Sequence, residues 1–425
     1  MFKIIFSLKK FIEGKPEKNR IFDYSVFEYY LTVFNFSIMQ LFPVNDTASA
    51  REFLKVPLII YKDDPNFIQP LDHDINDVFD PKKNKAFRFG ECQRWLLKDD
   101  DGNLLGRIAA FIYKKYKNKG DEQKTGGVGF FECIDNQEAA DMLFDVSKHW
   151  LMQRGMEAMD GPINFGERDR WWGLVVEGFK PPIYLMNYNL TYYQQLYENY
   201  GFKIFYNQIC WEISLMTNIS DKLLQQYDRY KNDPAYKIGH IKKNNLKKFA
   251  DDFCEVYNNA WGKHEGNKAM NKNVAYQMFK TMKPVMDENL VWFVYYNDKP
   301  IAFWVSLPEL NQIFKKFNGK FGLVEKIKLL WLKYKGAYDK FTGIVFGVIP
   351  EFQKLGIDYF MIVGATYAIR KKTNYKELEL QWQGDFNPRI LNMSKNIGAK
   401  QSRVLSTYRY LFDRTKEVKR HPILN

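Results

Sequence analysis

The sequence predicts an α/β (α+β) chain of two tandem halves, each a mixed, mostly antiparallel sheet flanked by helices. Three observations carry this expectation. Alternating or continuous apolar runs interleave with stretches of helical periodicity. The order of elements before Met216 is replayed after Pro234. The 425 residues exceed one ordinary core, and 35 Phe, 27 Tyr and 10 Trp suit sheet-rich packing.

In the first half the strand-like run 39–44 precedes Asn45-Asp46-Thr47, residues that start helices, and a helical pattern follows over 48–63. Residues 93–98 and 104–113 flank the turn Asp100-Asp101-Gly102-Asn103 and read as a hairpin. A strand at 129–134, a helix over 136–154 closed by Gly155 and a strand near 156–159 come next. A tyrosine-rich helix, 191–200, stops at Gly201 before a strand over 202–215.

The second half places strands at 236–241, 290–296, 300–307, 341–349, 377–382 and 400–411, and helices over 245–261, 273–286, 356–371 and 387–396. Gly106 and Ala302 hold the same place in the two hairpins. Gly201 and Gly398 end matching helices, each with Asn two residues before and Lys two after. The expected organisation is an appendage (1–38), a first domain (39–215), a polar linker (216–234), a second domain (235–415) and a basic tail (416–425).

Composition excludes several classes. Cys92, Cys133, Cys210 and Cys254 are isolated, without a CxxC pair, and the five histidines form no metal-binding spacing, so neither disulfide framework nor metal is expected. No run reaches the ~20 apolar residues of a spanning helix, and Lys9-Lys10 cut the first apolar stretch short. The expectation is a cytoplasmic chain. A net charge of +13 is spread along the sequence rather than gathered, which argues against nucleic acid as a partner. Oligomeric state is not legible, and Walker A and Rossmann signatures are absent.

The sharpest local signal is Gly347-Val-Ile-Pro-Glu-Phe-Gln-Lys-Leu-Gly-Ile-Asp358, a β-branched strand turning into a helix. Such a turn aims free N–H groups at one spot where the helix dipole also favours an anion. Gln353 and Gly356 resemble the acyl-CoA motif [QR]-x-x-G-x-[GA] of the GNAT (acyl-CoA N-acyltransferase) superfamily, with Asp358 in place of the small last residue. Glu379-Leu-Gln-Trp382, then Asn387 and Ile397-Gly398-Ala399, are similar to one GNAT-like branch. The first half resembles the same branch over Phe53–Gly201, through Gly106-Arg107-Ile108-Ala109, Gly161-Pro162 and Asn187-Tyr188-Asn189.

The resemblance implies two tandem acyl-CoA N-acyltransferase-like domains, with acetyl-CoA or another acyl-CoA as co-substrate and no metal. The cofactor would lie against Val348, Gln353, Lys354, Leu355, Gly356, Ile357, Asp358 and Asn387. In the first half the matching turn, Asp135-Asn136-Gln137-Glu138, is acidic and would repel a pyrophosphate, so that copy reads as degenerate. Glu379 is the candidate base, although an edge-strand glutamate facing water fits the same pattern. The tyrosine that many members carry as general acid after the last motif is missing, with Lys395 and Asn396 in its neighbourhood.

Two further stretches stand out. Arg168, Trp171 and Trp172 sit in a glycine-bounded segment. With Tyr188 and Trp382 they are candidate substrate-pocket residues, the paired tryptophans equally reading as core anchors. Between Phe314 and Lys340, eight lysines accompany an apolar pattern at spacings of three and four: a helix packed on its own domain, or one resting on an anionic membrane or tRNA. The functional expectation is acetyl transfer from CoA to the amine of a small molecule or peptide, by direct attack. An aminoacyl-tRNA-dependent transferase and a non-catalytic ligand-binding protein are the alternatives.

Overall fold

The computed structural model describes residues 39–261 and 269–424; the segment 1–38 lies outside the described residues. The strands of the first half are β1 (Gln40–Pro43), β2 (Gly90–Lys98), β3 (Leu104–Tyr113), β4 (Thr125–Cys133), β5 (Ala158–Gly161), β6 (Leu174–Glu177) and β7 (Lys203–Ser214). Those of the second are β8 (Tyr236–His240), β9 (Val291–Tyr296), β10 (Lys299–Pro308), β11 (Lys340–Val348), β12 (Glu377–Gly384) and β13 (Lys400–Leu411). All join one 13-stranded sheet, ordered β1-β2-β3-β4-β5-β13-β7-β12-β11-β10-β9-β8 with β6 paired to β13.

The helices are α1 (Thr47–Ile60), α2 (Asp72–Val78), α3 (Gln137–Met152), α4 (Tyr193–Tyr200), α5 (Asp221–Asp228), α6 (Leu246–Trp261), α7 (Lys272–Met282), α8 (Asn311–Phe314), α9 (Leu323–Tyr334), α10 (Ile357–Lys372) and α11 (Pro388–Asn396). The mixed α/β architecture expected from the interleaved periodicities is present. The duplication is visible in register: Gly106 stands opposite Leu97 and Cys133, as Ala302 stands opposite Val294 and Val348. Gly201 and Gly398 both take positive φ, 108° and 83°, just past α4 and α11.

The halves exchange their last strands. β7, from the first half, pairs with β12 of the second, while β13, from the second, pairs with β5 of the first. β7 and β13 then pair with each other from Lys400↔Glu212 to Arg409↔Lys203 and close the sheet across the seam. Two buried arginines fix β13 in place. Arg409 meets Asp160 of β5 at 2.7 and 2.8 Å and Asp121 at 2.8 Å, and these carboxylates push its pKa up. Arg403 meets Glu379 of β12 at 2.9 Å.

The polar stretch expected as a linker folds into α5. Leu223 is buried and Tyr227 packs against Phe360 of α10, so this connection becomes a wall of the second half. The segment 314–334 also differs from a single packed helix. Phe314 and Phe317 enter the core through α8, and α9 turns Leu329 and Leu332 inward instead of Val324 and Ile327.

Candidate functional site

Where two parallel neighbours part, the sheet of the second half opens. β11 and β12 pair from Lys340↔Glu377 to Gly343↔Leu380 and no further. β11 continues beside β10 as far as Ala302↔Val348, and β12 continues beside β7 after a bulge that skips Gln381 and Trp382. The wedge between them leaves backbone groups free to pair with an extended ligand.

At the wide end the chain turns sharply into α10. Pro350–Phe352 form a single 3₁₀ turn, Lys354 takes φ 65° and Gly356, at φ 86°, caps the helix. The positive φ favours glycine at 356, where an added Cβ would also have to displace the Gln226 side-chain amide, 2.5 Å away. The Gln353 side chain donates to Val348 O at 2.9 Å and braces the turn. Gly356 offers no side-chain cap, and within the first turn of α10 it is the Asp358 carboxyl that takes up the N–H groups of Tyr359 and its own residue. The matching helix in the first half, α3, is instead capped by its own Asn136, which accepts from Ala139 N at 2.9 Å.

A cleft of about 340 Å³ at this turn gathers Val348, Gln353, Lys354, Asp358 and Asn387. Leu355, Gly356 and Ile357 shape the turn without lining it; Ile357 is core and Leu355 points to solvent. Asp358 is largely buried and its carboxyl is pushed upward by desolvation, partly offset by the N–H groups of Tyr359 and its own residue. It therefore competes for the anion position.

Phe346, Ile390 and Met393 line both this cleft and a neighbouring apolar cavity of about 370 Å³. Its walls come from the α10 face (Ile362, Val363, Thr366), from Leu378, Leu380 and Gln383 of β12, from α11 and from the chain entering α5. Gln383 and Ser394 hydrogen-bond each other at 2.8 Å, and Arg370 is tied to Thr217 O. Lys395 and Asn396, at the place expected for a general acid, line the wall. Among the described residues no carboxylate or histidine does.

Glu379 is elsewhere. It lies on the opposite face of β12, fully buried, with Oε1 2.9 Å from Arg403 and Oε2 3.3 Å from Lys340. A carboxylate held between two cations and sealed from the cavity forms a seam ion pair; the structure does not bring Glu379, expected as the base, to the cavity wall. The expected substrate-pocket set is also dispersed. Trp382, displaced by the bulge, packs toward Val175, Cys210 and Leu405. Trp172 is core and donates to Tyr206 at 2.8 Å, and Arg168 binds Lys117 O and Asn118. Trp171 and Tyr188 line a separate cavity of about 60 Å³ in the first half. There the strand gap is filled by the chain's own backbone: Ile163 N donates to Val128 O at 2.8 Å, and a Cβ on Gly129 would collide with Ile163 O.

No family model matches the chain. It is similar to the bacterial ceramide synthase of Caulobacter vibrioides, 24% identical over 375 residues that cover 87% of this chain and 97% of that protein. It is also similar to protein YghO of Escherichia coli, 25% identical over 358 residues, 82% of this chain and 90% of that one. Among solved structures, a tandem GNAT protein from the clavulanic acid biosynthesis pathway superposes with TM-score 0.50 at 9% identity, covering 88% of this chain and 98% of that chain. A GCN5-related glucosamine N-acetyltransferase region of a fungal multi-domain GH3 β-N-acetylglucosaminidase gives 0.51 at 11% identity, over 88% of this chain and 38% of that one. The chain has the tandem GNAT fold.

Within the tandem GNAT fold, sequence reading found the turn at Gln353–Asp358 and missed much of the cavity behind it. Arg389, which supplies a cation at the cleft, carries no motif of its own. Arg370 and the segment Thr217–Leu223 reach the cavity only because α5 packs on α10. Tyr359, beside Asn396, is the phenol nearest this region in chain terms; it sits in the first turn of α10 rather than on α11. Among the described residues no cluster of His, Cys, Asp or Glu is arranged to hold a metal, and no helix is long and apolar enough to cross a membrane.

Proposed function

We propose that the second half binds an acyl-CoA in the strand wedge and that the protein transfers its acyl group to an amine. The observation that carries this is adjacency. A helix N-terminus without an N-cap side chain, with Lys354 and Arg389 beside it, stands next to the wedge between β11 and β12, and an apolar cavity shares walls with the cleft at that turn. That order matches pyrophosphate, pantetheine arm and acyl chain. The cavity, about 370 Å³ and walled mainly by apolar side chains, has room for far more than an acetyl group. This volume favours a medium or long acyl group over the acetyl group expected from the sequence.

With no carboxylate among the described residues of the cavity wall, catalysis rests on positioning the thioester and on backbone N–H donors at its carbonyl oxygen. The neutral amine attacks the carbonyl carbon, the C–S bond breaks, and the proton lost from nitrogen passes to the departing thiolate, directly or through solvent, so that amide and CoA thiol are released. The similarity to a ceramide synthase supports a lipid-like amine, because a ceramide is the amide of a fatty acid with a long-chain amino alcohol. The Asn136 cap and the filled gap support a first half without a cofactor site. The test is release of free CoA thiol from dodecanoyl- or palmitoyl-CoA in the presence of long-chain amines. Release that depends on both components is expected. Release with acetyl-CoA and short amines alone would replace the lipid reading, and none with any acyl-CoA would remove the transferase reading.

A further inference from the structure

One side of α9 is covered by none of the described residues. Leu323, Val324, Ile327, Leu330, Trp331 and Tyr334 are all large, apolar or aromatic, and 56–87% exposed. At 3.6 residues per turn they fall on one continuous face about 120° wide. Lys328 and Lys335 border this face on one side, and Lys326 and Lys333 on the other. The opposite side, Leu329 and Leu332, is buried in the core.

The helix is firmly seated, so the outward face is not a product of loose packing. Gly322 N donates to Glu325 Oε2 at 2.8 Å at its start, and Lys333 donates to Pro284 O and Met286 O near its end. Lys315, Lys316 and Lys320, just before the helix, are also exposed. Glu325, the one acidic residue of α9, is occupied by the cap.

We propose that α9 docks this protein on an anionic lipid surface, lying flat in the interface with its six apolar side chains in the acyl region and Lys326, Lys328 and Lys335 at the headgroups. Charge decides the occupant. A second protein copy would bring the same lysines, and like charges would face each other around the apolar strip. An anionic bilayer supplies both the apolar layer and the negative rim. RNA would match the lysines and leave the exposed Leu, Val and Ile without a suitable surface. The chain leaving α9, Gly336–Asp339, walls an open cleft that shares Leu215 and Arg370 with the apolar cavity, so the docked face lies near that cavity. Docking itself does not depend on the acyltransferase reading and is measured without acyl-CoA.

The experiment is sedimentation of the full chain with phosphatidylglycerol-containing vesicles and with phosphatidylcholine vesicles, at low and high salt. Comparison is with Ile327→Glu/Trp331→Glu and with Lys326→Glu/Lys328→Glu, each checked for an unchanged melting curve. Wild type should bind the anionic vesicles at least tenfold better than the neutral ones, with binding weakened by salt. The apolar-face variant should lose tenfold or more on both, and the lysine variant should lose the preference for anionic lipid. Wild type that ignores vesicles, or an apolar-face variant that binds as well as wild type, overturns the proposal. So does a concentration-dependent dimer in light scattering that Ile327→Glu/Trp331→Glu abolishes while vesicles go unbound. A tRNA gel shift abolished by the lysine variant, again without vesicle binding, also overturns it, as does vesicle binding that needs prior removal of residues 1–38.

Discussion

Replacing Glu379 by Gln separates a seam ion pair from a catalytic base, because the two roles predict opposite readouts. Glu379 Oε1 takes the Arg403 guanidinium at 2.9 Å, and both side chains are 1% exposed. Lys340, its second partner, keeps Glu377 at 2.9 Å and loses little. Arg403 would retain only Lys180 O at 3.3 Å and Pro181 O at 3.2 Å, neither of them charged. Removing one member of a buried pair costs about 3–5 kcal/mol, and the Gln oxygen still accepts one bond, so about 3 kcal/mol is expected. Urea unfolding of Glu379→Gln, Arg403→Met and the apolar double variant Glu379→Leu/Arg403→Met measures this. The double variant should recover most of the loss. A Glu379→Gln protein that unfolds at the wild-type midpoint while its turnover falls ~10²-fold would refute the structural assignment and restore the base.

Glu309 is buried near the same seam, accepting from Asn311 N, Tyr184 N and Thr342, yet desolvation pushes its carboxyl up to about 7. The folded state therefore binds this proton more tightly than the unfolded chain, whose glutamate titrates near ~4.3. Stability should fall as pH rises through that interval, by roughly 3 kcal/mol at most, and Glu309→Gln should flatten the decline in melting temperature between pH ~5 and ~8. Asp358→Asn removes the carboxylate competing at the N-terminus of α10 and should tighten acyl-CoA binding several-fold by calorimetry; unchanged affinity would place the phosphates elsewhere. Asn136→Ala uncaps α3 and should cost about 1 kcal/mol in denaturant unfolding without altering acyl-CoA binding.

Most elements were legible because their signals are local. Asn136 and Gly201 mark ends of α3 and α4, and the turn at Asp100–Asn103 marks the β2–β3 hairpin. Strand exchange was not, since the alternation in Lys203–Ser214 is satisfied equally by either half's sheet and says nothing about which neighbour it meets. The candidate site divides in the same way. The Gly356 turn is a backbone requirement written in the residue itself. The placement of Trp382 and Gln383 depends on a bulge, which shifts the alternation that put Trp382 beside Leu380. Arg403, which decides the role of Glu379, comes from a strand distant in sequence, and no pattern around Glu379 announces it. α9 misled because its periodic apolar residues are real while the surface that buries them is not part of the described fold.

The wedge and the cavity behind it are tested most directly by titrating the full chain with acetyl-, octanoyl-, dodecanoyl- and palmitoyl-CoA in a calorimeter, alongside a Gly356→Trp variant. The account predicts one site per chain and affinity that climbs from acetyl- through octanoyl- to dodecanoyl-CoA. All binding should be lost in the Gly356→Trp protein, provided its melting curve confirms that it is folded. Two equivalent sites, equal affinity for acetyl- and dodecanoyl-CoA, or undiminished binding to folded Gly356→Trp would contradict it.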